Sequence, residues 1–323
     1  MDNSTWSPRI TDSEMGNAID HVVFYYLSVG LNVVLNPVCA LLAFCAGIVN
    51  IATFSQMDLS QGVNMNLLIL SVSDFVLAII LVLMTFTYIS FWFGIKSMPI
   101  QQVALFGFRT INYPVTASTA VTTVIAVVRC LSVVIPLTFR SVVTVRRQIV
   151  AIALGCLIGW SVQMYNQILA LADIKSMISR NSFDIFRNVF FFTCLSIIVA
   201  SMVFLTIALQ RSSMFQSRAA STSDSQSKTQ NRREARVMKS VILVLTIFVV
   251  CNIPLLMLSI MRLASIEFSR SGQYRSVEDL VDLIVGLGIS LNASLNTFVY
   301  LFHNTQYRNI IKTSFSHQSR SSR

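Results

Sequence analysis

Apolar residues along this chain come in long unbroken blocks, without the alternation of a half-buried strand. Seven blocks are long enough to cross a bilayer as helices, at about 29–54, 66–91, 101–133, 148–171, 188–210, 238–263 and 279–302, and each is closed by polar or charged residues. The missing alternation argues against a membrane barrel. The expected fold is an all-α membrane protein, a seven-transmembrane helix bundle over 29–303, preceded by a polar segment 1–28 and followed by a cytoplasmic tail 304–323. Within the tail, Asn304 to Phe315 reads as a short amphipathic helix, with Phe302, Ile310, Ile311 and Phe315 toward lipid and Arg308 and Lys312 toward phosphates.

Composition agrees with the blocks. Of 323 residues, 54% are hydrophobic and only 12% charged, and the mean hydropathy is +0.68, more apolar than a soluble domain needs. The net charge of +10 is not a nucleic-acid signature, because Lys and Arg concentrate on the side of the even-numbered connections and the tail. That bias places the N-terminus outside and the C-terminus in the cytoplasm. The first 28 residues lack a basic start before an apolar core, so the first span is expected to serve as signal anchor in place of a cleaved peptide. Asn3-Ser4-Thr5 is a glycosylation sequon on the lumenal side, used or unused. The six cysteines fall inside spans or at their ends, which makes them packing residues rather than an outer disulfide pair.

Polar residues inside the blocks are costly and therefore informative. Arg109 and Arg129 lie about 30 Å apart along the third span, one guanidinium for each interface. Asp74 is buried in the second span; it is either a neutral acid bonded to neighbouring Asn or Ser, or a cation or proton site. Asn36-Pro37 should kink the first span, and Pro114 with the Ser/Thr-rich turn after it allows the third to bend. Pro254 hinges the sixth span, whose inner end carries Glu234, a salt-bridge partner for Arg129; a helix hinged there can swing that end. In the seventh span Asn292 and Asn296 suggest a polar network with Asp74. Leu137, after Pro136, either anchors a partner or sits with Phe139 in the bilayer interface. The segment Arg211 to Arg236 has almost no apolar residue and reads as a flexible cytoplasmic loop, with Ser221 a candidate for phosphorylation.

In their order, these residues resemble the rhodopsin-like G-protein-coupled receptors over roughly 29–315. The resemblance is carried by Asn50 after Gly47, the Leu70-Ser71-Val72-Ser73-Asp74 run, Ser118, Arg129, Trp160, Phe248 with Cys251 and Pro254, and Asn296 with Tyr300. Cys251-Asn252-Ile253-Pro254 and Asn292-Ala293-Ser294-Leu295-Asn296 further resemble the chemosensory receptors expanded in molluscs, near peptide receptors. The chain departs from the family at Val128, where an acid usually stands beside the arginine, at Asn252 in place of tryptophan, and at Thr297 in place of proline. It also lacks the cysteines of the usual outer disulfide, so Glu234 is expected to be the remaining lock on Arg129.

What the resemblance implies is a receptor, not an enzyme. An extracellular ligand favours a state in which the sixth helix swings outward about Pro254, Arg129 leaves Glu234, and a heterotrimeric G protein inserts with Leu137 as its anchor. Phe248, Asn252 and Tyr300 belong to the same switch, arrestin is a further implied partner, and the expected location is the plasma membrane. Asp74, Ser118, Asn292 and Asn296 resemble the family's sodium pocket; no other cofactor is implied.

The ligand is narrowed mainly by exclusion. The seventh span has no lysine for a retinal Schiff base, and Ile111 stands where the family's amine receptors carry aspartate. Candidate pocket residues are Arg109, Asn112, Gln163, Asn166, Glu278 and Asp282; Arg109 suits a ligand carboxylate and Asp282 an amine, as in a peptide or amino acid, unless these charges snorkel or pair with each other. The rival reading is a seven-span transporter or channel, which predicts an internal repeat and paired charges along a pore; the chain shows one deep carboxylate and no repeat. Histidines 21, 303 and 317 have no metal-ligand spacing.

Overall fold

A computed structural model describes residues 21–95, 97–135, 138–171, 177–218, 225–264 and 275–321, with the side chains of 21–22, 140, 162, 166, 169–186, 212–237, 263–276 and 314–323 left out of the description. Asn3 and Leu137 therefore lie outside the described residues, as do the side chains of Asn166 and Glu234. Among the described residues every regular element is helical. Seven helices are long and apolar enough to cross a membrane: Val23–Phe54, Gly62–Trp92, Met98–Val134, Val145–Tyr165, Arg187–Arg211, Met238–Arg262 and Val277–His303. They are called the first to seventh spans below.

The first span departs from a regular helix where its sequence says it should. An α-helix from His21 to Val29 passes into a π-helical turn, Gly30–Leu35, and resumes as α-helix over Asn36–Phe54. Pro37 has no N–H to give, and its ring would crowd the carbonyl one turn back; the backbone opens instead, with the Asn36 N–H reaching Leu31 O five residues earlier. The kink expected from Pro37 takes the form of this wider turn. The helix is already formed at His21, the first described residue and well before the expected 29, because the stretch His21–Leu27 is itself apolar.

The third span is interrupted once. Met98–Thr110 and Asn112–Val134 meet at Ile111, where Pro114 removes the N–H that would have bonded the Thr110 carbonyl. Two side chains of the helix Val145–Leu171, which carries the fourth span, hold this stretch: Trp160 Nε1 donates to Tyr113 O at 3.0 Å and Gln167 Nε2 to Arg109 O at 2.8 Å.

The third span runs through the middle of the bundle, against the second, fourth and fifth spans, while the first packs on the second and seventh and the sixth on the seventh. Leu70, Val121, Ile198, Leu205 and Leu245 are buried at this centre. The opposite faces carry exposed Leu41, Phe86, Leu157, Phe204 and Val250, the side that lipid covers. Deeper polar pairs fix neighbours in register. Asn66 Nδ2 donates to Gln148 Oε1 at 2.7 Å between the second and fourth spans, both residues being buried.

Two expectations are corrected. The segment 211–236 is not a loop throughout: the fifth helix continues to Arg218 and the sixth begins at Ser225. Once a span has nucleated a helix, adding Gln, Arg, Glu and Ala costs little, so the polar composition that prevents independent folding does not prevent extension. The tail helix, Thr305–Ser321, is longer than expected and does not give Ile310 and Ile311 to lipid. Both are partly buried against a cluster of Phe54, Met57, Tyr300 and Tyr307, whereas Phe302 is exposed as expected.

Candidate ligand site and signalling core

A cavity of about 470 Å³ opens among the spans at the end of the bundle that carries Phe91 and Arg262, within the range of small-molecule and peptide-fragment sites. Its wall is mostly apolar, with Leu81, Met84, Phe108, Val115, Phe191 and Leu255 among its residues. Of the residues proposed from sequence, Asn112, Gln163 and Asp282 line it. Arg109 does not. Its side chain is exposed, and Gln167 donates to its backbone carbonyl. Glu278 is buried beside the cavity instead of lining it, at 2% exposure.

The sequence reading missed the residue that organises this end. Arg262, at the C-terminal end of the sixth span, places Nε 2.9 Å and Nη2 2.7 Å from Glu278 Oε1, and Nη2 3.1 Å from Asp282 Oδ2. Glu278 and Asp282 stand one turn apart on the seventh span, so one planar guanidinium reaches both. The only hint in the sequence was a basic residue ending one span and acids opening the next. Arg262 and Asp282 line the cavity together with Arg187 of the fifth span, so the groups that tie the sixth span to the seventh face the cavity.

Below the cavity lies a buried polar core. Ser118 Oγ donates to Asp74 Oδ1 at 2.9 Å, and Asn296 Nδ2 donates to Asp74 Oδ2 at 3.1 Å, joining the second, third and seventh spans at one carboxylate. Asp74, Ser118, Asn296 and Asn292 are all buried. The Oδ1 atoms of Asn292 and Asn296, the Thr297 hydroxyl and the Tyr300 hydroxyl are buried without a hydrogen-bond partner among the described residues. A carboxylate beside unsatisfied neutral oxygens is the donor set of a hard monovalent cation or of bound water, and these residues fit sodium on that ground.

In the sixth span, three residues from the cavity residue Leu255 and two before Pro254, Asn252 is buried and turns back on its own helix, its Nδ2 donating to Phe248 O at 2.7 Å. Phe248 is buried in the central core and Tyr300 in the cluster against Phe54 and Tyr307. Trp160 is more than a third exposed, toward lipid. Arg129 is partly buried, and among the described residues no hydrogen bond or ion pair holds its guanidinium; the Glu234 side chain that would lock it lies outside the description. The six cysteines are free thiols.

Residues 45–300 match the family model of the 7 transmembrane receptor (rhodopsin family). The chain belongs to this family. It is a multi-pass membrane protein of the rhodopsin-like G-protein-coupled receptor family, whose members are receptors rather than enzymes and in general have a ligand and a G protein as partners. The transporter or channel reading is not favoured by this membership. No curated protein matches the chain.

Proposed function

We propose that this receptor sits in the plasma membrane with its N-terminus outside, binds an extracellular chemosensory cue or peptide in the outer cavity, and activates a heterotrimeric G protein. The observation that carries this reading is Arg262, which lines the cavity while bonding Glu278 and Asp282 across the sixth and seventh spans. A ligand that competes for Arg262, or for Asp282, changes the tie between the two helices at its outer end. Pro254 lies about two turns farther in, where the helix has lost a backbone bond and bends most easily. Movement of the inner half of the sixth helix about Pro254 then separates Glu234 from Arg129 and opens the cytoplasmic end, with Leu137 as a contact for the G protein. Arrestin would use the same opening.

A sodium ion held by Asp74, Ser118, Asn292 and Asn296 would supply charge that stabilises the closed arrangement of the second, third and seventh spans. A cation helps only the state whose oxygens converge on it.

The test is ligand-free G-protein activation across the G-protein classes, at matched surface expression, for wild type, Arg129→Ala, Glu234→Ala and Arg262→Ala. The reading expects a basal signal that Arg129→Ala abolishes and that Glu234→Ala and Arg262→Ala raise. Silence of all four proteins at the surface would sink it.

A further inference from the structure

We infer that Gln163 and Asn112 form a subsite on the cavity wall shared by the third and fourth spans, and that it takes a neutral hydrogen-bonding group of the ligand, a hydroxyl or an amide. The inference rests on the reading of this cavity as the ligand site. It deepens that reading by separating the neutral part of the ligand from its charged part.

The first observation is a side chain that is deep, unmet and still reachable. Gln163 lines the cavity and is only 6% exposed. Among the described residues neither its Oε1 nor its Nε2 has a hydrogen-bond partner, and neither atom is sealed off as Asn36 Oδ1 is. A carboxamide carries an acceptor oxygen and two N–H donors, and leaving them unmet away from bulk water is costly. What satisfies them enters through the cavity.

The second observation is the register that brings a second amide beside it. On one face of the same helix, Trp160 Nε1 donates to Tyr113 O three residues before Gln163, and Gln167 Nε2 donates to Arg109 O four residues after it. Gln163 is thereby held opposite residues 109–113, where Asn112 also lines the cavity with its side-chain amide unpartnered among the described residues. One turn away on each helix the two backbones come so close that a Cβ on Gly159 would collide with Thr116 Cγ2. The hydroxyls of this wall are already donated, Thr116 to Asn112 O at 2.7 Å and Thr119 to Val115 O at 2.9 Å. The donors left for a ligand here are those of the two amides.

The third observation is the distribution of charge. The charged residues lining the cavity, Arg187, Arg262 and Asp282, come from the fifth, sixth and seventh spans. Arg109, the charged residue nearest Asn112 along the chain, has an exposed side chain and does not line the cavity. A ligand carboxylate or ammonium set against Gln163 and Asn112 would lose its water and meet no countercharge on that wall. An apolar group would leave both amides unmet. A hydroxyl or an amide exchanges its bonds to water for bonds to the two carboxamides, and the charged part of the ligand belongs at Arg262 and Asp282.

The experiment offers the full-length receptor in lipid nanodiscs a set of small ring-bearing fragments, each scaffold made as carboxamide, alcohol, carboxylate, amine and methyl forms, and measures retention by affinity-selection mass spectrometry. It uses wild type, Gln163→Leu, Asn112→Leu, Gln163→Glu and the cavity-filling Val115→Trp. The expected result is that Gln163→Leu and Asn112→Leu each lower retention of the carboxamide and alcohol forms by about tenfold, while the carboxylate and amine forms, held at the other wall, stay as in wild type. Gln163→Glu should gain retention of the amine forms, a change that loss of folding could not produce, and Val115→Trp should lose every form. Retention that is sensitive to Val115→Trp, but in which both leucine variants weaken charged and neutral forms alike or leave the neutral forms untouched, overturns the inference and leaves the cavity as ligand site. No retention of any form, or retention indifferent to Val115→Trp, overturns both.

Discussion

Tyr307 of the tail helix donates its phenolic hydrogen to Asn50 Oδ1 of the first span at 2.6 Å, and Tyr307 is completely buried. Its ring packs 5.3 Å from Phe54 and 5.8 Å from Tyr300. One residue thus fastens the tail helix to the C-terminal ends of the first and seventh spans.

Tyr307→Phe keeps the ring and removes the donor, leaving a buried acceptor on Asn50. The expected cost is about 1–3 kcal/mol, and Tyr307→Ala should cost more because packing goes too. Thermal unfolding in detergent should fall in the order wild type, Tyr307→Phe, Tyr307→Ala; equal midpoints for the first two would show that the hydroxyl carries nothing. Burial also pushes the Tyr307 phenol up to about 12 from 10.0. Because the folded value lies above the unfolded one, its contribution is complete below pH 10 and is lost as pH rises through about 12. The stability loss of wild type over that window should be smaller in Tyr307→Phe.

Glu278 is 2% exposed and depends on Arg262 for its countercharge, while Arg262 itself is 29% exposed. Removing the cation strands a buried carboxylate, so Arg262→Ala should destabilise by about 3 kcal/mol. Adding Glu278→Gln to it should return part of the loss. If the double variant is no more stable than Arg262→Ala alone, the pair is not coupled as its geometry requires.

The seven spans were readable because a span needs only length and apolarity, quantities that each block states by itself. The residues at Asp74, Ser118 and Asn296 were also readable, since polar side chains buried in lipid must find one another, and there were few to choose from. Tyr307 was not. In an amphipathic tail an aromatic that docks on the bundle has the same spacing as one that enters lipid, and only the position of Asn50, 257 residues earlier, decides between them. Arg262 was hidden for a related reason: a basic residue closing a span is ordinary snorkelling until acids from the next span are placed beside it. The π-helical turn showed only its cause, Pro37, since a proline-induced kink and a widened turn begin from the same missing N–H.

If sodium binds at Asp74, it should raise the unfolding temperature of the ligand-free receptor as sodium replaces a large organic cation at constant ionic strength. A ligand that binds only the folded state stabilises by mass action, independently of signalling. Asp74→Asn should abolish the dependence, and Asn292→Ala should weaken it. The same sodium response in wild type and Asp74→Asn would remove this carboxylate as the site.

Two glycines of the seventh span make a paired test of how closely that helix packs. At Gly288 a Cβ would collide with the backbone carbonyl oxygen of Cys251 in the sixth span, three residues before Pro254. A carbonyl held in a helix cannot rotate away, so Gly288→Ala must push the two helices apart where the sixth one bends, at a cost of about 1–3 kcal/mol. At Gly286 the nearest atom to such a Cβ is Asn36 Nδ2 at 4.0 Å, and Gly286→Ala should be neutral or slightly stabilising, since alanine favours the helix. Surface expression and unfolding temperature of the two variants, measured side by side, should separate clearly. Equal tolerance of both would mean that the sixth and seventh helices do not touch at Cys251, and the tie through Arg262 would then be their principal connection at that end of the bundle.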